Sequence, residues 1–303
     1  MIRFGLCCIF RDEPIKFAGT TATAVGRMDR ADALEKLARL CAANAEALSA
    51  ALRFCADNGI GCFRINSQIL PLKTHPQLGY GINDLPEGEE IVRRFRQAGD
   101  FAKEHDLRVC FHPDQFVVLN SQRPEVVEAS VRELEYQAEV AGWVGADVLN
   151  IHAGGAFGDK PKALADFARS LARLSSGVRS RLTVENDDTT FSPADLLPLC
   201  RAEGLPLVYD VHHHRVHPDA LSVEEATEQA MATWNREPLF HISSPLEGWN
   251  GPAPRRHHDF IDPNDFPPSW LLRNLTVEVE AKAKEMAVLQ LKQVLSDLMP
   301  PGL

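Results

Sequence analysis

Val148–His152 reads VLNIH, Leu182–Asn186 reads LTVEN and Leu207–Val211 reads LVYDV. Each is a five-residue apolar run with an imidazole or a carboxylate at or next to its end. Apolar runs this short are strands, because a buried helix needs ten residues or more. The same pattern recurs outward along the chain at Arg3–Cys8 (RFGLCC), Cys62–Ser67 (CFRINS), Arg108–Pro113 (RVCFHP), Leu239–Ser244 (LFHISS) and Leu275–Glu280 (LTVEVE), which makes eight runs. Helical patterns lie between them. Leu34, Leu37, Cys41, Ala45, Leu48, Leu52 and Cys55 form one apolar stripe at intervals of three and four. Ile91–His105, Pro124–Trp143, Lys162–Leu174, Ser192–Glu203, Val223–Trp234 and Lys284–Leu298 complete the set. Strand and helix in alternation predict a parallel sheet with right-handed crossovers. Eight units close an α/β, (β/α)₈ (TIM) barrel, read here as one domain over residues 1–303. A doubly wound open sheet is the alternative. Pro245–Pro268 holds six prolines with Gly248 and Gly251, so it is expected to be a functional loop over the barrel mouth. Tyr80–Glu89 is a second irregular segment.

Of the 303 residues, 45% are hydrophobic and 24% charged, which is globular composition and excludes disordered or collagen-like chains. The net charge of −10 argues against a broad basic surface for nucleic acid, but not against a local site charged by bound cations. Seven cysteines without a C-x-x-C pair read as reduced, buried thiols of a cytosolic protein. No signal peptide and no membrane-length apolar run are evident, so a soluble cytoplasmic protein that does not contact membrane is expected. Nothing matches a Walker loop or a G-x-G-x-x-G fingerprint, and no organic cofactor is expected.

The strand ends carry the chemistry. The third to eighth runs end at or near His112, His152, Glu185, Asp210 (with His213 just beyond), His241 and Glu280. Parallel barrel strands present their C-terminal ends to one face, so these side chains converge on one opening. Imidazoles with carboxylates suit Zn²⁺, Mn²⁺ or Fe²⁺, and the number of ligands exceeds what one ion needs, so two or three ions are expected. Within Asp210–His217 (DVHHHRVH), Asp210 and His213 are read as the ligand pair and His212 and His214 as supporting or exposed. One of His257 and His258 is expected to fold back onto the site; His105 reads as solvated and Cys110 as barrel core. Such a cluster can bind a phosphodiester oxygen, acidify a water and stabilise a leaving alkoxide. A one- or two-ion site on the same barrel could instead stabilise an enediolate, so sugar isomerisation or epimerisation stays open on spacing alone.

Phe54–Leu72 (FCADNGIGCFRINSQILPL) with Thr74-His75-Pro76, Phe111–Asn120 (FHPDQFVVLN), Asn150–Gly155 (NIHAGG), Leu182–Asp188 (LTVENDD), Tyr209–His214 (YDVHHH), Phe240–Pro245 (FHISSP) and Val277–Glu285 (VEVEAKAKE) occur in one order and spacing. In these stretches the chain resembles the UV damage endonucleases, the UvsE/UVDE family, from Met1 to about Glu285. The resemblance implies an endonuclease IV-like barrel that nicks duplex DNA immediately 5′ of UV photoproducts, leaving 3′-hydroxyl and 5′-phosphate ends. It implies two or three divalent ions per chain, Mn²⁺ foremost, with Zn²⁺, Co²⁺ or Mg²⁺ as substitutes. Carried over by position, it makes His75, His112, His152, Glu185, Asp210, His213, His241, His258 and Glu280 metal ligands. Glu185, Glu280, His241 and Lys282 become the catalytic group, and Gln115 and Phe116 a wedge inserted beside the lesion. Damaged double-stranded DNA is the implied partner, approached by Arg215, Arg255, Arg256, Lys160 and Lys162 on the same side. Three positions depart from the family pattern. Leu239 replaces a lysine that can be carboxylated, and Leu6 and Phe10 replace an aromatic and an asparagine expected to line the lesion pocket.

Overall fold

The computed structural model describes residues 2–298. Its strands are β1 (Ile2–Cys7), β2 (Cys62–Ile65), β3 (Arg108–Phe111), β4 (Val148–His152), β5 (Leu182–Glu185), β6 (Leu207–Val208), β7 (Leu239–Ile242) and β8 (Leu275–Val279). All pair in parallel, in the order β6-β5-β4-β3-β2-β1-β8-β7. The two ends of that order meet. Asp210 bridges His241 in parallel, and the His241 N–H donates to the Tyr209 carbonyl at 3.0 Å. The sheet is therefore a nearly closed barrel with helices around it and not an open sheet. Both faces of every strand are covered, so the strands read as continuous apolar runs and not as alternating ones.

The seam between β6 and β7 is thin because β6 is only two residues long. After Val208 the chain turns, and Val211–Val216 is a helix capped by Asp210, whose Oδ1 accepts the His213 N–H at 2.8 Å. A continued strand would have set alternate histidines on opposite sides. The helix instead places residues three apart on one face, so Asp210 and His213 meet. The Pro-rich segment is also ordered. Pro245 bridges His257 in antiparallel fashion, short 3₁₀ turns cover Pro263–Asp265 and Pro268–Leu272, and buried Asp265 accepts from Ser244 and from Trp249 Nε1. The helix expected over Lys162–Leu174 runs Lys160–Leu171, and the one expected over Val223–Trp234 ends at Met231.

Inside the barrel, side chains stack in layers. Cys62, Cys110, Val148, Val208 and Leu239 form one apolar layer contributed by five strands. The strand period of two then brings Arg64, His112, Asn150 and His241 to the same interior side one step nearer the C-terminal mouth. All seven cysteines are free thiols, and all but Cys8 are buried. Among the described residues, no helix is long and apolar enough to cross a membrane.

Gly99 sits where the Gly88–Glu104 helix crosses the end of the Pro124–Val144 helix, and these two helices flank β3. A Cβ at Gly99 would lie 2.6 Å from Val144 Cα and 2.7 Å from its carbonyl carbon. Backbone cannot yield as a side chain does. Gly99→Ala should therefore lose about 1–3 kcal/mol of stability, as overpacking does, read as a lower denaturant midpoint. A midpoint equal to wild type would show that the crossing is not tight.

Candidate metal centre

Glu185 is the hub. It ends β5, is 1% exposed, and is held from below by Asn150, whose Nδ2 donates to Oε2 at 2.5 Å; the Thr183 hydroxyl in turn donates to Asn150 Oδ1 at 3.0 Å. Its Oε2 lies 2.9 Å from His112 Nε2 and 4.0 Å from His152 Nε2, and its Oε1 lies 3.2 Å from His241 Nδ1 and 3.3 Å from His213 Nδ1. Asp210 is fixed by a reciprocal pair with Asn186, which accepts the Asp210 N–H at 3.0 Å and donates to its carbonyl at 2.9 Å. Asp210 Oδ2 then faces His213 Nδ1 at 3.5 Å and His241 Nδ1 at 4.0 Å. Glu280 Oε1 lies 3.4 Å from His241 Nδ1 and takes Arg64 Nη2 at 2.5 Å.

Three overlapping sets result: His112, His152 and Glu185; His112, His241 and Glu280; and Glu185, Asp210 and His213. Within each, the ligand atoms lie within 4.8 Å of one another. Glu185 and His112 each belong to two sets, as shared ligands of neighbouring cations would. The chemistry of the donors fits divalent ions, since imidazole nitrogens and carboxylate oxygens suit Mn²⁺ and Zn²⁺. So does buried Asp210 Oδ2, which faces the histidines of the cluster and lacks any hydrogen-bond partner.

Electrostatics point the same way. Burial works against charge on His213, but Asp210 and Glu185 outweigh it and raise its pKa from 6.5 to about 10. His241 is likewise raised by Glu185 and Glu280 in spite of its burial. Burial would raise the carboxyls of Glu185 and Glu280, yet His241 and His152 hold the first, and Arg64 and His241 the second, well below the ordinary range. His152 is shifted the other way, since burial favours its neutral, ligand-competent form. In the metal-free protein, protons on histidine thus supply counter-charge that cations would otherwise bring.

The remaining sequence-derived residues are distributed as follows. His75 lies outside the three sets, on the loop after β2, where its Nδ1 accepts the N–H groups of Gln77 and Leu78, both at 3.2 Å. His258 also lies outside them, with Nδ1 accepting the Phe260 N–H at 3.0 Å. The neighbouring His257 is the residue that turns to the cluster, with Nδ1 3.9 Å from Glu280 Oε2 and its ring 5.1 Å from that of His212. Adjacent residues of an extended bridge face opposite ways, so only one of the two can do so. His212 and His214 are both buried and neither is exposed. His214 is held by Tyr209 (2.8 Å) and Asp219 (3.0 Å), whereas neither ring nitrogen of His212 has a hydrogen-bond partner. Lys282 is exposed at the mouth, Gln115 is exposed, and Phe116 is 76% exposed over a loop anchored by buried Val117 and Leu119. Leu239 belongs to the apolar layer beneath the cluster, Leu6 is fully buried, and Phe10 packs edge-on against Phe54. The basic residues expected to offset the acidic charge are paired: Lys160 with Asp195, Lys162 with Asp166, Arg215 with Asp265, Arg255 with Asp188 and Arg256 with Glu247.

Arg64, Glu278 and Asn150 are neighbours of the cluster that the strand-end reading missed, and His257 is the member of the His257/His258 pair that faces it. The first two carried a signal, a charge in the middle of an otherwise apolar barrel strand, which a fully buried strand tolerates only with a partner.

Comparison with known proteins identifies the family. The model of the UV-endonuclease UvdE family matches residues 2–300. The chain belongs to that family. This membership makes it an endonuclease. It is 31% identical to the UV DNA damage endonuclease of Bacillus velezensis, over 98% of this chain and 94% of that protein, and 30% identical to the one of Bacillus cereus strain 03BB102, over 92% and 89%. The crystal structure of SacUVDE superimposes with a TM-score of 0.87 at 28% identity, covering 98% of this chain and 99% of that one. Endonuclease IV from Thermus thermophilus shares the fold, with a TM-score of 0.61 at 17% identity over 97% of this chain and 98% of that one.

The UvdE-family cluster should respond to pH with a definite sign. A histidine whose folded pKa is raised stabilises the fold fully below its unfolded value and ceases to as pH rises through the folded one. The metal-free protein should therefore lose thermal stability as pH climbs from 6.5 towards about 10, the interval spanned by His213. Saturating Mn²⁺ should flatten that decline. A metal-free melting temperature that is level across the interval would remove His213 as a proton-borne counter-charge.

Proposed function

We propose that the protein hydrolyses the phosphodiester immediately 5′ of UV photoproducts in duplex DNA, leaving 3′-hydroxyl and 5′-phosphate ends, and that it needs two or three divalent ions, Mn²⁺ foremost. The observation that carries this reading is the overlap of the three ligand sets at Glu185 and His112. Charge counting supports more than one ion. Glu185, Asp210, Glu278 and Glu280 share one fixed positive charge, Arg64, paired with Glu278 and Glu280; with the histidines neutral as ligands, three negative charges remain, more than one divalent ion cancels. Bound there, such ions supply Lewis acidity that draws charge from a phosphate and acidifies water.

The chain's own residues do the rest. His112, His152, Glu185, Asp210, His213, His241 and Glu280 hold the ions, with His257 at the edge beside Glu280. Glu185 and Glu280, both held well below the ordinary carboxyl range, stay ionised through neutral pH. Lys282 is placed to meet a backbone phosphate. Gln115 and Phe116 stand out at the mouth, where an aromatic ring can fill the gap left by displaced bases and an amide can satisfy an orphaned base edge. One catalytic domain across residues 1–303, acting in the cytoplasm without an organic cofactor, completes the reading. Sugar epimerases share the barrel alone: a D-psicose 3-epimerase from Clostridium cellulolyticum H10 superimposes with a TM-score of 0.56 at 10% identity. A one-ion isomerase has no use for His112, His152 and His213 around one carboxylate.

UV-irradiated plasmid should be nicked in Mn²⁺ and untreated plasmid spared, with end-labelling placing the cut 5′ of the dimer. Equal nicking of both, or none, would refute the assignment. His152→Ala should cost nicking at least the about 10–100-fold that even outer partners of a metal site contribute; wild-type turnover would take His152 out of the centre. Phe116→Ala should lose roughly 10-fold in preference for irradiated DNA, within the worth of one stacked aromatic. Unchanged preference would leave Phe116 idle.

A further inference from the structure

Beneath the ligand sets lies a buried ion pair with no assigned role. Arg64, on β2, is 6% exposed, and Glu278, on β8, is 1% exposed. Arg64 Nε lies 3.0 Å from Glu278 Oε2, and the same guanidinium reaches Glu280 Oε1 through Nη2 at 2.5 Å. Glu278 Oε2 also lies 2.9 Å from His241 Nε2, an ion-pair approach without hydrogen-bond alignment, while its Oε1 accepts from the Cys110 thiol at 2.8 Å.

We infer that Arg64 and Glu278 are positioning residues for the metal centre: Glu278 takes the Nε2 side of His241 so that Nδ1 faces the ligand sets, and Arg64 holds Glu278 and Glu280 in one orientation. This rests on the reading that the cluster binds divalent ions. The geometry of the ring carries it. His241 Nδ1 faces Glu185, Glu280 and Asp210 at 3.2, 3.4 and 4.0 Å, whereas Nε2 faces Glu278. A metal-ligating histidine is commonly oriented by a carboxylate on its other nitrogen. His241 is fully buried, and Glu278 occupies its Nε2 side. Glu278 itself is not a ligand of the cluster, because both of its oxygens are engaged below it.

Cys62, Cys110 and Glu278 also approach within 4.8 Å of one another. The Arg64 cation 3.0 Å from Glu278 opposes a second cation there, which leaves the carboxylate to serve the histidine.

The test is Mn²⁺ affinity by calorimetry, together with the visible spectrum of the Co²⁺-loaded protein, for wild type, Glu278→Gln, Arg64→Met and Arg64→Lys. Near-ultraviolet circular dichroism of each metal-free variant reports its fold. Glu278→Gln keeps the shape and removes the charge, and should weaken Mn²⁺ binding about 10–100-fold and shift the Co²⁺ bands. Arg64→Met should do the same, and Arg64→Lys should recover part of the loss, since it restores charge but not the two-pronged contact. If Arg64→Met does not fold, Glu278→Gln decides alone. Wild-type affinity and an unshifted Co²⁺ spectrum in folded Glu278→Gln would overturn the proposal. A wild-type protein that binds no Mn²⁺ would instead sink the metal reading beneath it.

Discussion

Four carboxylates, Glu185, Asp210, Glu278 and Glu280, occupy the upper interior of one barrel, and mutual repulsion among them is the condition that the surrounding structure answers. Charges that close in a medium of low dielectric cannot all stay ionised without compensation. Arg64 provides one fixed positive charge, and His213 and His241 provide more by holding protons well above the ordinary imidazole value. A site that needs so much positive charge to exist is prepared for cations. Binding of divalent ions would release those histidine protons, which ties metal affinity to pH through the same contacts that stabilise the fold.

The barrel is what makes such crowding achievable. Apart from Asp210 and His213, the ligands lie far apart in sequence, because different strands deliver them to the mouth and the pleat of each decides which side faces inward. Supporting contacts come from the strands themselves: Asn150 under Glu185, Asn186 around Asp210, Glu278 behind His241. Each lies on or directly after a strand. Rigid elements hold catalytic geometry more closely than loops do. The loops carry the exposed side chains of the mouth, Gln115 and Phe116 after β3, and the Pro-rich segment after β7.

The acidic net charge fits this division of labour. Lys160, Lys162, Arg215, Arg255 and Arg256 are each paired with an acid, so these five offer no broad positive surface. At the cluster, bound cations would reverse the local sign.

The fold was legible in the sequence because strands buried on both faces must be short, apolar and regularly spaced, and the strand-end histidines and acids were legible because parallel strands share one exit face. Strand position alone points to His112, His152, Glu185, Asp210, His213, His241 and Glu280, which the structure brings together. It did not reach the rest. Whether His257 or His258 faces inward depends on the pairing of Pro245 with His257 across the loop, and whether Asp210 meets His213 through a strand or a helix depends on where β6 stops. The partnership of Arg64 with Glu278 joins two strands that lie far apart along the chain. Periodicity along a chain determines which side of its own strand a residue occupies; only closure of the ring decides what stands opposite, because that contact is made through space between strands that the sequence does not order.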